Sequence, residues 1–140
     1  KLVYTFKAKV SDGTYTDTKD ITININDVND NNPILTGKNS ASQEENQKNA
    51  ITLSASDEDA GDVLTFSISG ADASKFNIDS DTGVVEFITA PNYEATTEYH
   101  FTAMVKDSAD HNDTQDINIS ITDLPDVKPI INNDFSIELD

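Results

Sequence analysis

The chain repeats itself. Residues 4–12, YTFKAKVSD, lie over residues 99–107, YHFTAMVKD. Tyr4, Phe6, Ala8, Val10 and Asp12 match Tyr99, Phe101, Ala103, Val105 and Asp107, all at one offset (99 − 4 = 95). After a one-residue slip, DITININDVND at 20–30 lies over DINISITDLPD at 116–126, and Pro33–Ile34 lies over Pro129–Ile130. A self-match at a fixed long period is the mark of a tandem array. A period near 95 residues exceeds that of short solenoid repeats and suits an independent β-sandwich module.

The local pattern agrees. Leu2, Tyr4, Phe6, Ala8 and Val10 alternate with more polar residues. So do Ile21, Ile23 and Ile25; Ile51, Leu53 and Ala55; Leu64, Phe66 and Ile68; Tyr99, Phe101, Ala103 and Val105; and Ile117, Ile119 and Ile121. Period-two alternation places one set on the core face of a sheet. Turn-rich gaps separate the runs, as in an antiparallel sandwich. No convincing amphipathic helix is present; ADASKF at 71–76 predicts one short helical turn. The expected parse has three parts. Residues 1–33 hold the last two strands of one module and a linker, 34–126 a complete module, and 127–140 a linker and the first strand of a third. We read the chain as a piece of something longer. A lone hairpin is marginal in water, so the first part needs a partner: the complete module, another copy of the chain, or further sequence.

Charge narrows the partners. With 26 acidic and 9 basic residues in 140, the net charge is −17. That argues against nucleic acid, whose phosphates need Lys and Arg, and against attraction to anionic lipid. It fits neutralisation by cations, and equally a merely soluble surface. The chain has no Cys, so disulfides, thiolate nucleophiles and Cys-bound zinc are excluded. No stretch is apolar and long enough to cross a bilayer.

Oxygen-bearing side chains cluster at the junction between modules, in DVNDNNP at 27–33. Its bland reading is a solvated linker, because Asn, Asp and Pro favour turns. Its sharper reading is a site for a hard cation. Calcium takes six to eight oxygen ligands. Other acidic groups fall where loops would approach the same poles: SDEDAGD at 56–62, NYE at 92–94, EEN at 44–46, and Asp107. A D-x-D pair such as Asp57 and Asp59 aims two carboxylates from one bend. Carboxylates gathered without a cation repel one another, and a divalent ion reverses that sign.

These residues resemble a known family. DVNDNNP is similar to the D-x-N-D-N-x-P linker of cadherin repeats. SDED at 56–59 resembles their D-x-D motif, EEN their x-E-x motif, and NYE their D-R/Y-E motif. FNIDSDTGVV at 76–85 resembles their F-x-I-x-x-x-T-G-x-[IV] hairpin. The motifs occur in the family's order and span the complete module. The resemblance implies an all-β, seven-stranded Greek-key, immunoglobulin-like sandwich in a tandem array, binding Ca2+ between modules. Carried over residue by residue, it assigns Asp27, Asn29, Asp30 and Asn31 of the linker to the first junction, with Asp57, Asp59 and Asp107 of the module. Asn29 and Asn31 would serve largely through carbonyl oxygens. Glu45, Glu94, Asp123 and Asp126 fall at the second junction.

The chain departs from the family at three places. Asn92 stands where the family has Asp. The second linker, DLPDVKP, carries Pro125 and Val127 in place of Asn, and Lys128. The partial first module lacks its own x-E-x and D-R/Y-E segments. One well-formed site is therefore expected, from Asp57, Asp59, Asp107, Asn29 and Asn31, with any others incomplete. Asp12, the repeat partner of Asp107, is expected to be a plain turn residue.

Remaining features point away from chemistry. DSDTG at 79–83 has Ala90 where an EF-hand loop has its last Glu, so a tight hairpin with Gly83 at positive φ is the better reading. His100 and His111 lack the Cys that would complete a zinc site. NDT at 112–114 and NIS at 118–120 fit the N-glycosylation sequon. There is no nucleophile elbow, phosphate loop or Trp platform for a sugar, so an enzyme is not expected. The leading expectation is a calcium-rigidified extender in a cell-surface adhesin or filament, extracellular, with neighbouring repeats as its partners. Alternatives are a module that itself binds a partner, homophilically or through glycan, and a calcium-independent stalk. Abundant Asn, Asp and Thr without Cys suits a bacterial surface protein more than an animal one.

Overall fold

The structure is a computed structural model that describes residues 2–59 and 61–125. The expectations for Asp126 and for residues 127–140 lie outside the described residues. Strands β1 (Leu2–Ser11) and β2 (Thr16–Ile25) form an antiparallel hairpin, with Phe6 opposite Ile21 and Tyr4 opposite Ile23. Their apolar residues do share one face, as alternation requires. Among the described residues nothing covers that face, and almost every residue of the hairpin is exposed.

Nine further segments build a two-layer sandwich: β3 (Ile34–Leu35), β4 (Ser40–Glu44), β5 (Asn49–Thr52), β6 (Ala55–Ser56), β7 (Thr65–Ser69), β8 (Phe76–Ile78), β9 (Val84–Phe87), β10 (Glu98–Lys106) and β11 (Asn112–Thr122). One layer runs β4-β11-β10-β7; the other holds β5-β9-β8 and the β3-β6 ladder. Two strands are interrupted. β3 pairs antiparallel with β6, whereas β4 pairs parallel with β11, so the first strand switches sheets. β5 and β6 are bridged by Leu53 and Ser54, whose backbone hydrogen bonds to Gly83 and Thr36 continue the ladders. Counting each interrupted strand once gives the seven of the expected sandwich (9 − 2 = 7).

The core lies between the layers. Phe101, Ala103 and Val105 of β10 and Ile117, Ile119 and Ile121 of β11 face Ala50, Leu53, Phe76, Val85 and Phe87. Each large apolar side chain so buried contributes about 1.5–3 kcal/mol. Phe76 anchors an aromatic cluster, with ring centroids 4.6 Å from Phe87, 4.9 Å from Phe101 and 5.8 Å from Tyr99. The expected helical turn is a single 3-10 turn at Ala73–Lys75. Gly83 adopts φ +71, and a Cβ there would lie 2.7 Å from the Leu53 carbonyl oxygen, so only glycine fits this hairpin. The packing leaves one pole open, where the β2–β3 connector, the β6–β7 loop and the β10–β11 loop meet.

Candidate metal centre

The connector reaches the sandwich as a run of short polar residues ending at buried Pro33, whose ring cannot continue a ladder. The β6–β7 loop leaves β6 at once into Asp57, and the D-x-D spacing closes a tight bend: Asp59 N donates to Asp57 Oδ1 at 2.9 Å. That is the self-capping turn that Asp favours. The β10–β11 loop closes in the same way. Asp107 Oδ1 accepts from Ala109 N at 2.9 Å and His111 N at 2.7 Å, so the carboxylate is fixed by its own loop.

Three carboxylates then converge. Asp57, Asp62 and Asp107 each offer an oxygen within 4.8 Å of the others. Two oxygens on opposite sides of one calcium lie up to about 5 Å apart, given Ca–O distances near 2.3–2.6 Å. The spacing therefore suits one shared ion. The Asp107 side chain is fully buried, and its Oδ2 lies 2.7 Å from His111 Nδ1. Among the described residues, Asp57 Oδ2 and Asn118 Oδ1 are the buried side-chain oxygens without a hydrogen-bond partner. A buried carboxylate oxygen with no donor is costly, and a hard cation is one group that would satisfy it. The donor set is all oxygen, which matches calcium rather than zinc.

Asp59 plays another part. It is buried, and its carboxylate grips the connector: Oδ2 accepts from Asp30 N at 3.0 Å and Asn31 N at 2.8 Å, and Oδ1 from Asn31 Nδ2 at 2.7 Å. The hydrogen bonds from Asn31 chiefly hold the Asp59 carboxyl below the ordinary Asp range. Asn29 docks its side chain against Asp62, Ser108 and His111. Asp27 and Asp30 are exposed. The structure thus brings Asp57 and Asp107 together with a residue not assigned from sequence, Asp62. Its signal was present in SDEDAGD, where a third Asp follows the D-x-D pair.

The opposite pole carries a second group. Glu45, Glu94 and Asp123 also offer oxygens within 4.8 Å of one another. Glu45 is buried; its Oε1 accepts from Leu124 N at 3.0 Å and its Oε2 from Tyr93 N at 3.1 Å. Those amides, Leu124 first, draw its carboxyl below the usual Glu range. Glu94 and Asp123 are exposed. Asn92, which stands for the family's Asp, caps a turn through Oδ1 and Ala95 N at 3.1 Å. An amide oxygen serves that purpose as well as a carboxylate.

Comparison with known proteins converges on one family. The family model described as Cadherin domain matches residues 39–122. Human Protocadherin Fat 1 is 30% identical over 145 residues, covering 94% of this chain and 3% of that protein. Mouse Cadherin EGF LAG seven-pass G-type receptor 1 is 30% identical over 139 residues, covering 94% and 5%. The chain thus spans only about one part in twenty or less of these relatives. Among solved structures, human CDH23 EC21-23 superposes with TM-score 0.76 at 22% identity, covering 94% of this chain and 47% of that one. The Protocadherin GammaB4 extracellular domain gives 0.74 at 23%, covering 94% and 24%. At these identities the superpositions speak to the sandwich alone. No helix among the described residues is long and apolar enough to cross a membrane.

Proposed function

Because this chain belongs to the cadherin domain family, an adhesion-related class of module, we propose that it is a calcium-stiffened extender of an extracellular, cell-surface protein. In this reading, residues 34–126 form a whole repeat. Residues 1–33 end the preceding repeat and 127–140 begin the next one. Neighbouring repeats are its partners, and self-association in the manner of the protocadherin cis-dimer matched here is secondary. It carries no catalytic role.

One observation supports the calcium above all: the orphaned Asp57 Oδ2, buried beside Asp62 and Asp107 at the foot of the connector. Asp57, Asp62 and Asp107 would hold the ion, with connector oxygens of Asp27, Asn29, Asp30 and Asn31 completing its shell. The ion would supply positive charge where three carboxylates repel one another. It would bind connector and module at once, and so stiffen the joint. The Glu45, Glu94 and Asp123 group is a lesser candidate, because its connector offers Pro125 and Val127 in place of Asn side chains.

Thermal unfolding with and without calcium tests this. A ligand present at a hundred times its Kd adds about 2.7 kcal/mol, which is roughly 5 °C or more for a chain of this size. Two millimolar calcium is expected to raise Tm by that amount over EGTA, with magnesium much less effective. An unchanged Tm together with no heat of binding in calorimetry overturns the reading.

A further inference from the structure

The connector is tied to the module by bonds that need no ion. Asn29 Nδ2 donates to Asp62 Oδ2 at 2.8 Å and to Ser108 Oγ at 3.1 Å. Ser108 Oγ in turn donates to Asp62 Oδ1 at 2.5 Å. Donors and acceptors balance around this ring. One amide gives two hydrogens, one hydroxyl accepts one and gives one, and the carboxylate accepts from both, with a further hydrogen bond from Val63 N to its Oδ1 at 2.9 Å. The other end of the amide, Asn29 Oδ1, lies 3.3 Å from His111 Nδ1, which is closer to Asp107 Oδ2, at 2.7 Å. The ring joins three segments that are distant in sequence: the β2–β3 connector, the β6–β7 loop and the β10–β11 loop.

We propose that Asn29, Asp62 and Ser108 form a latch that docks the connector on the module before any metal binds, with Asp62 as its positioning residue. The latch places Asp30 and Asn31 so that their amides meet the Asp59 carboxylate. A connector already ordered loses less conformational entropy when an ion arrives, and ligands held in place bind more tightly for that reason. Asp62 is suited to this because its two oxygens are used separately, one on Asn29 and one on Ser108. Hydrogen bonds to a charged acceptor are the stronger kind, and a closed ring reinforces each member.

The inference rests on the calcium reading only for what the latch prepares, so its test is run in EGTA. Hydrogen–deuterium exchange at Asp30 and Asn31 reads connector docking. Exchange at Phe101 and Ile119 reports whether the sandwich is folded. The wild-type connector amides are expected to be protected in EGTA. Asp62→Ala is expected to speed their exchange about tenfold, as does Asn29→Ala, with the core amides unchanged. Asp62→Asn keeps an acceptor for Asn29 and is expected to retain most of the protection. Ser108→Ala, which breaks the ring and leaves every carboxylate in place, is expected to fall between. In a calcium titration, Ser108→Ala should weaken binding several-fold without removing a ligand. Connector amides that exchange freely in wild-type EGTA samples overturn the latch, and so does wild-type protection in Asp62→Ala. Protection in EGTA with no calcium response in any sample supports the latch and sinks the calcium reading instead.

Discussion

The chain contains the same hairpin twice, in two different surroundings. Phe6 and Val10 of β1 match Phe101 and Val105 of β10 in sequence and in register. Phe6 is 53% exposed and Val10 68%, whereas Phe101 is 3% exposed and Val105 0%. The alternation is equally good in both. What differs is the layer opposite: Phe76, Val85 and Phe87 close over β10, and the described residues place no second sheet over β1. A sequence pattern therefore decides which face is apolar, and only a facing sheet turns that face into a core. The one-residue slip in the repeat also has a location. Residues 12–15 join the first hairpin and residues 107–111 the second, the longer loop taking up Asp110 at φ 76. Asp is among the few residues that enter that region readily.

The largest expected effect follows from that contrast. Phe101→Ala removes a ring packed 4.9 Å from Phe76 and is expected to lower sandwich stability by about 3–5 kcal/mol. Phe6→Ala removes the same atoms from an open face and is expected to change stability by less than about 0.5 kcal/mol, as at exposed positions generally. Urea midpoints for the two variants check this. A matching loss in Phe6→Ala would mean that β1 is covered in solution, by a second copy or by the module itself, and a concentration series would separate those two.

A smaller effect separates the two turn aspartates. Asp12 Oδ1 accepts from Thr14 N at 2.8 Å and Tyr15 N at 2.7 Å, and Asp107 Oδ1 caps its own loop in the same way. The difference lies in the second oxygen. That of Asp107 faces His111 in the acidic group, while Asp12 is exposed. Replacement by Asn keeps the capping oxygen and alters the other. Asp107→Asn is expected to weaken calcium binding tenfold or more, since an interaction with a charged group amounts to about 1.5–3 kcal/mol. Apo stability should shift little. Asp12→Asn should leave calcium affinity unchanged. Titration calorimetry on the pair reads the difference directly.

The same contrast shows what the sequence could carry. Strand faces, the glycine turn at Gly83 and the short turn after Asp72 follow from local pattern, and they stand where the pattern puts them. The sheet switch between β3 and β4 was not legible, because two residues are too few to show a period. At the pole, the motifs marked the right loops. They did not mark which oxygen of each loop faces inward. Asp59 and Asp62 are three residues apart in one acidic run, yet Asp59 takes the connector amides of Asp30 and Asn31, whereas Asp62, grouped with Asp57 and Asp107, takes the Asn29 side chain and Ser108. That division is set by the path of the bend and by donors from residues 29–31, none of which spacing reveals.

The smallest expected effect is in pH, and it again divides the two regions. Asp12 and Asp59 both have carboxyls drawn below the ordinary Asp range by backbone amides, chiefly Tyr15 for Asp12 and Asn31 for Asp59. A folded pKa below the unfolded one adds stability that is fully present above the unfolded value, near pH 4 for Asp, and is lost as pH falls through the folded value. Between pH 7 and about 4.5 neither contact should change. Below that, protonation of Asp12 frees only its own four-residue turn, whereas protonation of Asp59 loosens Asp30 and Asn31 and leaves the connector held through Asn29. Carboxyl titration by NMR in EGTA should place both midpoints below those of exposed Asp residues. Amide shifts at Asn31 should follow Asp59, and those at Thr14 should follow Asp12. Were the Asn31 amide to titrate with an ordinary Asp midpoint, Asp59 would not be gripping the connector in solution, and the docking at this pole would rest on Asn29 alone.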